Sequence, residues 1–324
     1  METIILILKF VVGLAAIIKG ADWLTDGASA IARRYGIPSI VIGLTIVAFG
    51  TSAPELVVSV VSAVEGKTEM AVGNVVGSNI FNTLAIMGIT ALIYPVACSK
   101  NNIRYDVPLC LLASIALMAL ALDGDIVSRG DGITLLCFCL IFMFYTFAIA
   151  KQPNGTAEGE QETKAVPLWR SIVLFLVGLA CLILGGEWFV DGASGFALMM
   201  GVSQSVVALT IVAAGTSFPE LVTSIVAARK GDTDMAMGNV VGSNIFNIFM
   251  VLGVASVLNP LQLGNISLLD LGTMTFGAFL LWVFCKFGRR YHYVTRTEGA
   301  LLTICAVAYY TAAVLMATGT IPAL

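Results

Sequence analysis

Long apolar runs separated by short polar breaks occupy the chain from one end to the other. A helix needs roughly 20 mostly apolar residues to cross the hydrocarbon core of a bilayer, and ten runs meet that condition. The ten predicted spans are 4–24, 38–64, 70–94, 107–123, 131–150, 169–190, 203–228, 235–258, 267–285 and 299–317. The pattern therefore predicts an all-α membrane protein with ten transmembrane helices.

The two halves of this pattern are copies of one another. Residues 20–82 and 185–247 align without a gap and are identical at 38 of 63 positions, which generic hydrophobicity does not explain. The ten residues Gly73 to Asn82 recur unchanged from Gly238 to Asn247. An internal duplication follows. The predicted units are a first five-helix repeat (1–151), a cytoplasmic linker (152–168) and a second five-helix repeat (169–324).

Five spans are an odd number, so the second repeat is expected to cross the membrane in the opposite orientation to the first. The loop charges indicate the same inversion. With the N-terminus outside, the outer loops hold only Lys67 and Arg129, as the positive-inside rule requires. The inner loops hold the other thirteen loop cations: Arg33, Arg34, Lys100, Arg104, Lys151, Lys164, Arg170, Arg229, Lys230, Lys286, Arg289, Arg290 and Arg296. Both termini are thereby predicted outside the cytoplasm.

The composition excludes several other classes of protein. Hydrophobic residues make up 58% of the chain and charged residues only 11%, against about 25% charged in a soluble domain. No basic cluster interleaved with aromatic residues indicates nucleic-acid binding. The seven cysteines lie mostly inside apolar runs and the single histidine stands in a basic loop. The sequence therefore predicts no enzyme, no resident cofactor and no nucleic-acid partner, and it identifies no protein partner.

A duplicated motif brings acidic and hydroxyl groups into the middle of two spans. Gly50-Thr51-Ser52-Ala53-Pro54-Glu55 recurs as Gly215-Thr216-Ser217-Phe218-Pro219-Glu220. A carboxylate is costly in lipid and needs a partner, but neighbouring spans offer no lysine or arginine. The prolines lack an N–H, so they leave the carbonyl groups of Gly50 and Gly215 free. Two unpaired acids beside free oxygens predict a bound cation or bound protons.

Further neutral oxygens lie at the same level. Thr51, Ser52, Thr216 and Ser217 stand beside the glutamates, while Ser78 and Asn82, like Ser243 and Asn247, share a helix face at four-residue spacing. We predict that both sets complete an oxygen cage, which suits Ca²⁺ and, by the same reasoning, Na⁺. Interhelical hydrogen bonding is the default expectation for Asn74, Asn79, Asn239 and Asn244. Capping or loop contacts are expected for Asp22, Asp26, Glu187 and Asp191 near the span ends.

These motifs resemble the Ca²⁺:cation antiporter superfamily, and specifically its prokaryotic sodium/calcium exchangers. The resemblance covers both repeats. It implies that Glu55 and Glu220 bind Ca²⁺ with the carbonyl groups of Thr51 and Thr216. It also implies sodium sites at Ser52, Ser78, Ser217 and Ser243, with the carbonyl groups of Ala48 and Ala213, and a central site lined by Asn82 and Asn247. Potassium-dependent relatives rely on an acid at one of these last two positions, so asparagine at both counts against potassium transport.

The predicted function is exchange of Na⁺ for Ca²⁺ by alternating access, in the plasma (cell inner) membrane. A Ca²⁺/H⁺ exchanger is the nearest alternative, because two protons would neutralise the two glutamates equally well. Many neutral oxygens favour Na⁺, since a proton needs no cage. A passive cation channel would need a continuous wet path, whereas this chain concentrates its polar groups at one level.

Overall fold

The computed structural model describes residues 2–122, 124–150, 167–201, 213–264, 266–317 and 320. Within these residues, eight helices are long and apolar enough to cross a membrane, and a helix pair bent by 46° supplies a ninth span. The predicted seventh span begins in residues 202–212, outside the described part, and continues in the helical stretch after residue 213. The predicted linker also lies almost wholly outside the described residues.

The helices are α1 (Glu2–Tyr35), α2 (Ser39–Thr51), α3 (Ala53–Val64), α4 (Thr68–Ile93), α5 (Asn102–Leu122), α6 (Arg129–Ala150), α7 (Leu168–Met199), α8 (Ala213–Gly215), α9 (Phe218–Arg229), α10 (Thr233–Leu258), α11 (Leu268–Phe287) and α12 (Arg296–Ala317). Four short strands complete the description: β1 (Val96–Ala97), β2 (Ile126–Val127), β3 (Leu261–Gln262) and β4 (Tyr293–Val294). The antiparallel pairs β1–β4 and β2–β3 each join one repeat to the other.

Two helices are longer than the sequence predicted. The predicted spans 4–24 and 169–190 become helices of 34 and 32 residues, α1 and α7. Asp22 and Asp26, expected near a span end, lie within α1, where Lys230 reaches them at 3.3 and 2.8 Å. Asp191 lies within α7 and pairs with Lys9 at 2.9 Å. Capping was therefore the wrong expectation for these three residues, whereas the alternative of loop contacts is confirmed for Asp22 and Asp26, because Lys230 lies in the loop after α9.

Helices α1 and α7 occupy corresponding positions in the two repeats and pack against each other along their length. A Cβ atom on Gly13 would lie 2.5 Å from the backbone nitrogen of Phe189. A Cβ on Gly27 would lie 2.6 Å from the backbone nitrogen of Phe175. Residues later in α1 contact residues earlier in α7, so the two helices are antiparallel. The inverted relation of the repeats is confirmed.

The two helices that carry the identical ten-residue segment form the centre of the bundle. In their most apolar windows, α4 is 72% buried and α10 is 83% buried, against 22% for both α1 and α7. Each central helix widens into a π-helical segment at the same place in its repeat, Phe81–Ile86 in α4 and Asn247–Leu252 in α10. Such π-helical bulges are frequently found at functional sites. Two of the four π-helical segments among the described residues thus lie in the most buried helices.

Candidate cation-binding site

Both duplicated motifs break a helix at their serine. Ser52 separates α2 from α3 with φ −83° and ψ 6°, and Ser217 precedes α9 with φ −91° and ψ 6°. Each new helix begins with the serine carbonyl accepting the N–H four residues on, from Leu56 and Leu221, at 3.1 Å in both copies. Pro54 lacks the N–H that would bond to the Gly50 carbonyl in a continuous helix. That carbonyl nevertheless accepts a backbone N–H at the end of α2, so the prediction that it is free was wrong. The glutamate comes next, in the first turn of the new helix.

The serines and glutamates are paired across the two repeats. Ser52 donates to Glu220 Oε1 at 3.2 Å, and Ser217 donates to Glu55 Oε1 at 3.0 Å. Ser78 on α4 also donates to Glu55 Oε1, at 3.4 Å. All five side chains are buried, with at most 1% of their surface exposed. The structure therefore brings the predicted residues of both motifs into one enclosed cluster.

Several oxygen atoms of the predicted ligands, within this cluster and outside it, are buried and have no hydrogen-bond partner within the described residues. They are Glu55 Oε2, Glu220 Oε2, Thr216 Oγ1, Ser243 Oγ, Asn82 Oδ1 and Asn247 Oδ1. No described lysine, arginine or histidine forms an ion pair with either glutamate. Buried carboxylates without a basic partner are stabilised by a bound cation or by protons. The surrounding neutral oxygens are ligands that hard cations prefer.

The set of acidic ligands is small. The described residues contain no group of three or more histidine, cysteine, aspartate or glutamate side chains that would hold a metal ion. Any cation here would therefore be bound by two carboxylates, with hydroxyl, amide and main-chain oxygens as the other ligands. Fewer charged ligands give weaker binding of Ca²⁺, and an ion that has to be released on the other side of a membrane must not be held tightly.

Asn74 and Asn239 form the interhelical hydrogen bonds expected of them, and these bonds hold the main chain at the two glutamates. Asn74 Nδ2 donates to the backbone oxygen of Glu55 at 3.2 Å, and Asn239 Nδ2 donates to that of Glu220 at 3.2 Å. Thr51 donates its hydroxyl to Asn239 Oδ1 at 3.2 Å. The signal in the sequence was the separation of 19 residues between glutamate and asparagine, which is the same in both copies.

The structure describes the two alanines of the implied sodium sites, Ala48 and Ala213, to different extents. The Ala48 carbonyl accepts the Ser52 N–H at 2.9 Å and the Thr51 hydroxyl at 3.4 Å, so it is already engaged by its own repeat. Ala213 begins α8 at the edge of the described residues, and its side chain is not described. The roles of these carbonyl groups and of the other candidate ligands remain predictions.

A cavity of about 320 Å³ lies beside the cluster and is lined by chain neighbours of its residues. Its walls are formed by α3, by α7 and by the segment from Gly215 to Pro219, and its lining includes Pro54 and Thr216. Glu187 and Asp191 of α7 also line it and make it acidic. The loop charges predict that this cavity lies in the outer half of the membrane.

The fold and this cluster point to a class of protein: a multi-pass membrane transporter built from two inverted repeats around a pair of buried glutamates. A family model described as sodium/calcium exchanger protein matches residues 5–148 and 170–318. The chain belongs to the sodium/calcium exchanger family. This is a family of transporters and not of enzymes.

Individual relatives are similar along nearly the whole chain. A putative antiporter, CaxA of Alkalimonas amylolytica, is 37% identical over 92% of this chain and 95% of its own length. The inner membrane protein YrbG of Escherichia coli (strain K12) is 35% identical over 90% of this chain and 92% of its own. A solved structure of the sodium-calcium exchanger NCX_Mj, soaked with Na⁺ and Sr²⁺, superposes with a TM-score of 0.82 at 33% identity, covering 95% of this chain and 98% of that one.

Proposed function

We propose that this chain is a secondary active antiporter that exchanges Na⁺ for Ca²⁺ across a cell inner membrane, with both termini outside the cytoplasm. The observation that carries the proposal is the pair of fully buried glutamates, Glu55 and Glu220, each bonded to a serine of the other repeat and neither paired with a lysine, arginine or histidine of the described residues. Family membership and the similarity to NCX_Mj support the same conclusion. Membership in the family does not by itself identify the coupling ion.

Charge counting gives the proposal its mechanism. Two ionised glutamates neutralise one Ca²⁺, whereas three bound Na⁺ leave one positive charge in the site. Because both substrates use the same two carboxylates, binding of one excludes the other, which couples their movements. Because the repeats are inverted, an exchange of conformations between them would close the site on one side and open it on the other. An exchange of three Na⁺ for one Ca²⁺ moves one net charge in each cycle.

The deciding experiment is Ca²⁺ uptake into sealed vesicles that contain the protein and are loaded with Na⁺. We expect uptake that requires internal Na⁺ and stops when choline replaces it. If one charge moves per cycle, a potential of 100 mV changes the Ca²⁺ accumulation ratio about 50-fold, because the charge contributes about 2.3 kcal/mol. A potassium gradient with valinomycin sets this potential.

Two results would contradict the sodium assignment. Uptake that ignores Na⁺ and follows an imposed pH gradient would identify a Ca²⁺/H⁺ exchanger, in which two protons neutralise Glu55 and Glu220. Uptake without any counter-ion gradient would identify a passive channel. The buried serines beside the glutamates favour Na⁺, since neutral hydroxyl oxygens bind a hard cation and are not needed for two protons.

The two crossed serines provide a second test of the coupling ion. In Ser52→Ala and Ser217→Ala we expect the half-saturating Na⁺ concentration to rise about tenfold, because each variant loses one neutral ligand, worth roughly 1.4 kcal/mol. Initial rates of Na⁺-dependent Ca²⁺ uptake over a range of Na⁺ concentrations measure the change. Ser256→Ala is the matched control, because this buried serine donates only to Leu252 and Gly253 of its own helix. Equal effects of all three variants would argue against a sodium role for the crossed serines.

A further inference from the structure

The identical ten-residue segments of α4 and α10 make different hydrogen bonds. In the second copy, Asn247 Nδ2 donates to Asn79 Oδ1 of the first copy at 3.1 Å. In the first copy, the amide of Asn82 is buried, and neither its nitrogen nor its oxygen has a partner within the described residues. Asn82 and Asn247 occupy the same position in the repeat. The difference therefore has to come from residues outside the shared segment.

The orientation of Asn247 is determined by Asn79. Asn79 Nδ2 donates to the backbone oxygen of Asn244 at 3.2 Å, and a backbone carbonyl can only accept a hydrogen bond. The nitrogen of Asn79 is thereby fixed, and its Oδ1 has to face Asn247. Asn247 in turn has to offer its nitrogen, so its own Oδ1 remains free. That oxygen is buried and has no hydrogen-bond partner among the described residues.

The equivalent arrangement in the first copy is prevented by Thr83. This residue is the first after the shared segment, and its counterpart in the second copy is Ile248. The Thr83 hydroxyl accepts a hydrogen bond from Asn244 Nδ2 at 2.7 Å, which an isoleucine side chain is unable to do. Because Asn244 is held by Thr83, it does not fix Asn82 in the way that Asn79 fixes Asn247.

The free oxygen of Asn247 lies in the central layer of the protein. The π-helical segment that starts at Asn247 packs against α3, the helix that carries Glu55. Ser243, on the same face of α10 one turn earlier, also has a buried oxygen with no partner in the described part of the chain. Asn79 follows directly after Ser78, whose hydroxyl donates to Glu55. Asn247 and Asn79 thus lie on the two helices that approach Glu55: the segment of α10 that starts at Asn247 packs against α3, and α4 carries Ser78 beside Asn79.

We propose that Asn79 is a positioning residue for the cation site: it fixes the amide of Asn247 so that Asn247 Oδ1 is a preorganised ligand oxygen for the transported divalent cation. Asn82 is not fixed in this way, because neither atom of its amide has a partner within the described residues. Asn244, although it matches Asn79 in sequence, has no positioning role. This inference rests on the proposed function, because it gives a role to a residue behind the same site.

The repeat supplies a matched pair of variants, Asn79→Ala and Asn244→Ala. We expect Asn79→Ala to raise the half-saturating Ca²⁺ concentration of Na⁺-driven uptake about tenfold, as loss of a residue that orients a metal ligand typically does. Asn247→Ala should have the same effect, and the double variant of Asn79 and Asn247 should be no worse than Asn247→Ala alone. Asn244→Ala should stay within twofold of the unsubstituted protein.

A purely structural role predicts a different result. Asn79 and Asn244 each form interhelical hydrogen bonds, so both alanine variants should lower the Tm of the purified protein by similar amounts. If these bonds served stability alone, the two variants should also change the Ca²⁺ affinity by similar amounts. Equal losses of Ca²⁺ affinity in the two variants would overturn the positioning role. Independent, additive effects of Asn79→Ala and Asn247→Ala on Ca²⁺ affinity would overturn it as well.

A second measurement separates this inference from the proposed function. Ca²⁺ raises the Tm of a protein that binds it in the folded state, whatever ion is exchanged. If the unsubstituted protein shows this rise but no Na⁺-driven uptake, the sodium assignment is wrong. The positioning role then stands if Asn79→Ala lacks the rise at a Ca²⁺ concentration at which Asn244→Ala retains it, and it fails if both variants retain it equally.

Discussion

Glutamine at position 55 should abolish Ca²⁺ uptake. Glu55 is fully buried, and its carboxylate is one of two in the cluster. Glu55→Gln keeps the size of the side chain and removes half of the negative charge that would neutralise Ca²⁺. Removing one partner of a buried charge pair costs about 3–5 kcal/mol, which lowers the affinity for Ca²⁺ by roughly 100- to 1,000-fold or more. Na⁺-driven Ca²⁺ uptake into vesicles measures the loss.

Glu220→Gln should behave in the same way, because Glu220 has the same burial and the corresponding serine partner, Ser52. Glu65→Gln is the control, since Glu65 is exposed and pairs with Lys67 at 2.7 Å in the loop between α3 and α4. We expect its uptake to remain normal. Normal Ca²⁺ uptake by either Glu55→Gln or Glu220→Gln would show that the cation site lies elsewhere.

Adding one methyl group between α1 and α7 should destabilise the whole protein. A Cβ on Gly178 would lie 2.4 Å from the backbone nitrogen of Leu24 and 2.7 Å from the backbone oxygen of Gly20. Backbone atoms of a packed helix cannot turn aside, so Gly178→Ala has to push the two helices apart. Overpacking of this kind typically costs about 1–3 kcal/mol. The Tm of the protein in detergent, followed by the loss of the monodisperse peak after heating, reports the change.

Gly186→Ala on the same helix is the matched control. Its Cβ would lie 3.6 Å from the ring of Pro219, an ordinary van der Waals contact. Both variants exchange a buried helical glycine for alanine, which by itself favours a helix by about 1 kcal/mol. We expect Gly186→Ala to keep or raise the Tm while Gly178→Ala lowers it. A Tm for Gly178→Ala at or above that of the unsubstituted protein would contradict the close packing of α1 and α7.

The membrane fold was predictable because its signals are local. Apolar runs identify the spans, and a duplicated sequence with oppositely charged loops identifies an inversion, which the antiparallel packing of α1 and α7 bears out. Hydropathy did not predict that α1 continues past Asp22 and Asp26 to Tyr35. Charged residues normally end an apolar span, but the cation that compensates them is Lys230, which is separated from Asp26 by 204 residues in sequence. A pattern read along the chain does not contain such a partner.

The cluster was predictable in its membership and unpredictable in its connections. The duplicated motifs select Glu55 and Glu220, because buried acids without a basic neighbour are rare. Which serine faces which glutamate depends on how the helices are rotated in the bundle, and the sequence of a single motif does not record that rotation. The unequal roles proposed for Asn79 and Asn244 were still harder to predict. The sequences after them are identical as far as Asn82 and Asn247, and the first difference is Thr83 in place of Ile248.

The crossed pairing of serine and glutamate has a consequence for how the protein is made. A ribosome synthesises Glu55 long before Ser217, its partner in the second repeat. The first five helices therefore have to enter the bilayer with a carboxyl group whose main donor does not yet exist, sheltered only by Ser78 of the same half. The proposed ion site would be completed late in synthesis, when the second half folds against the first. A polypeptide truncated after the first repeat would have every helix of that half and still lack a site.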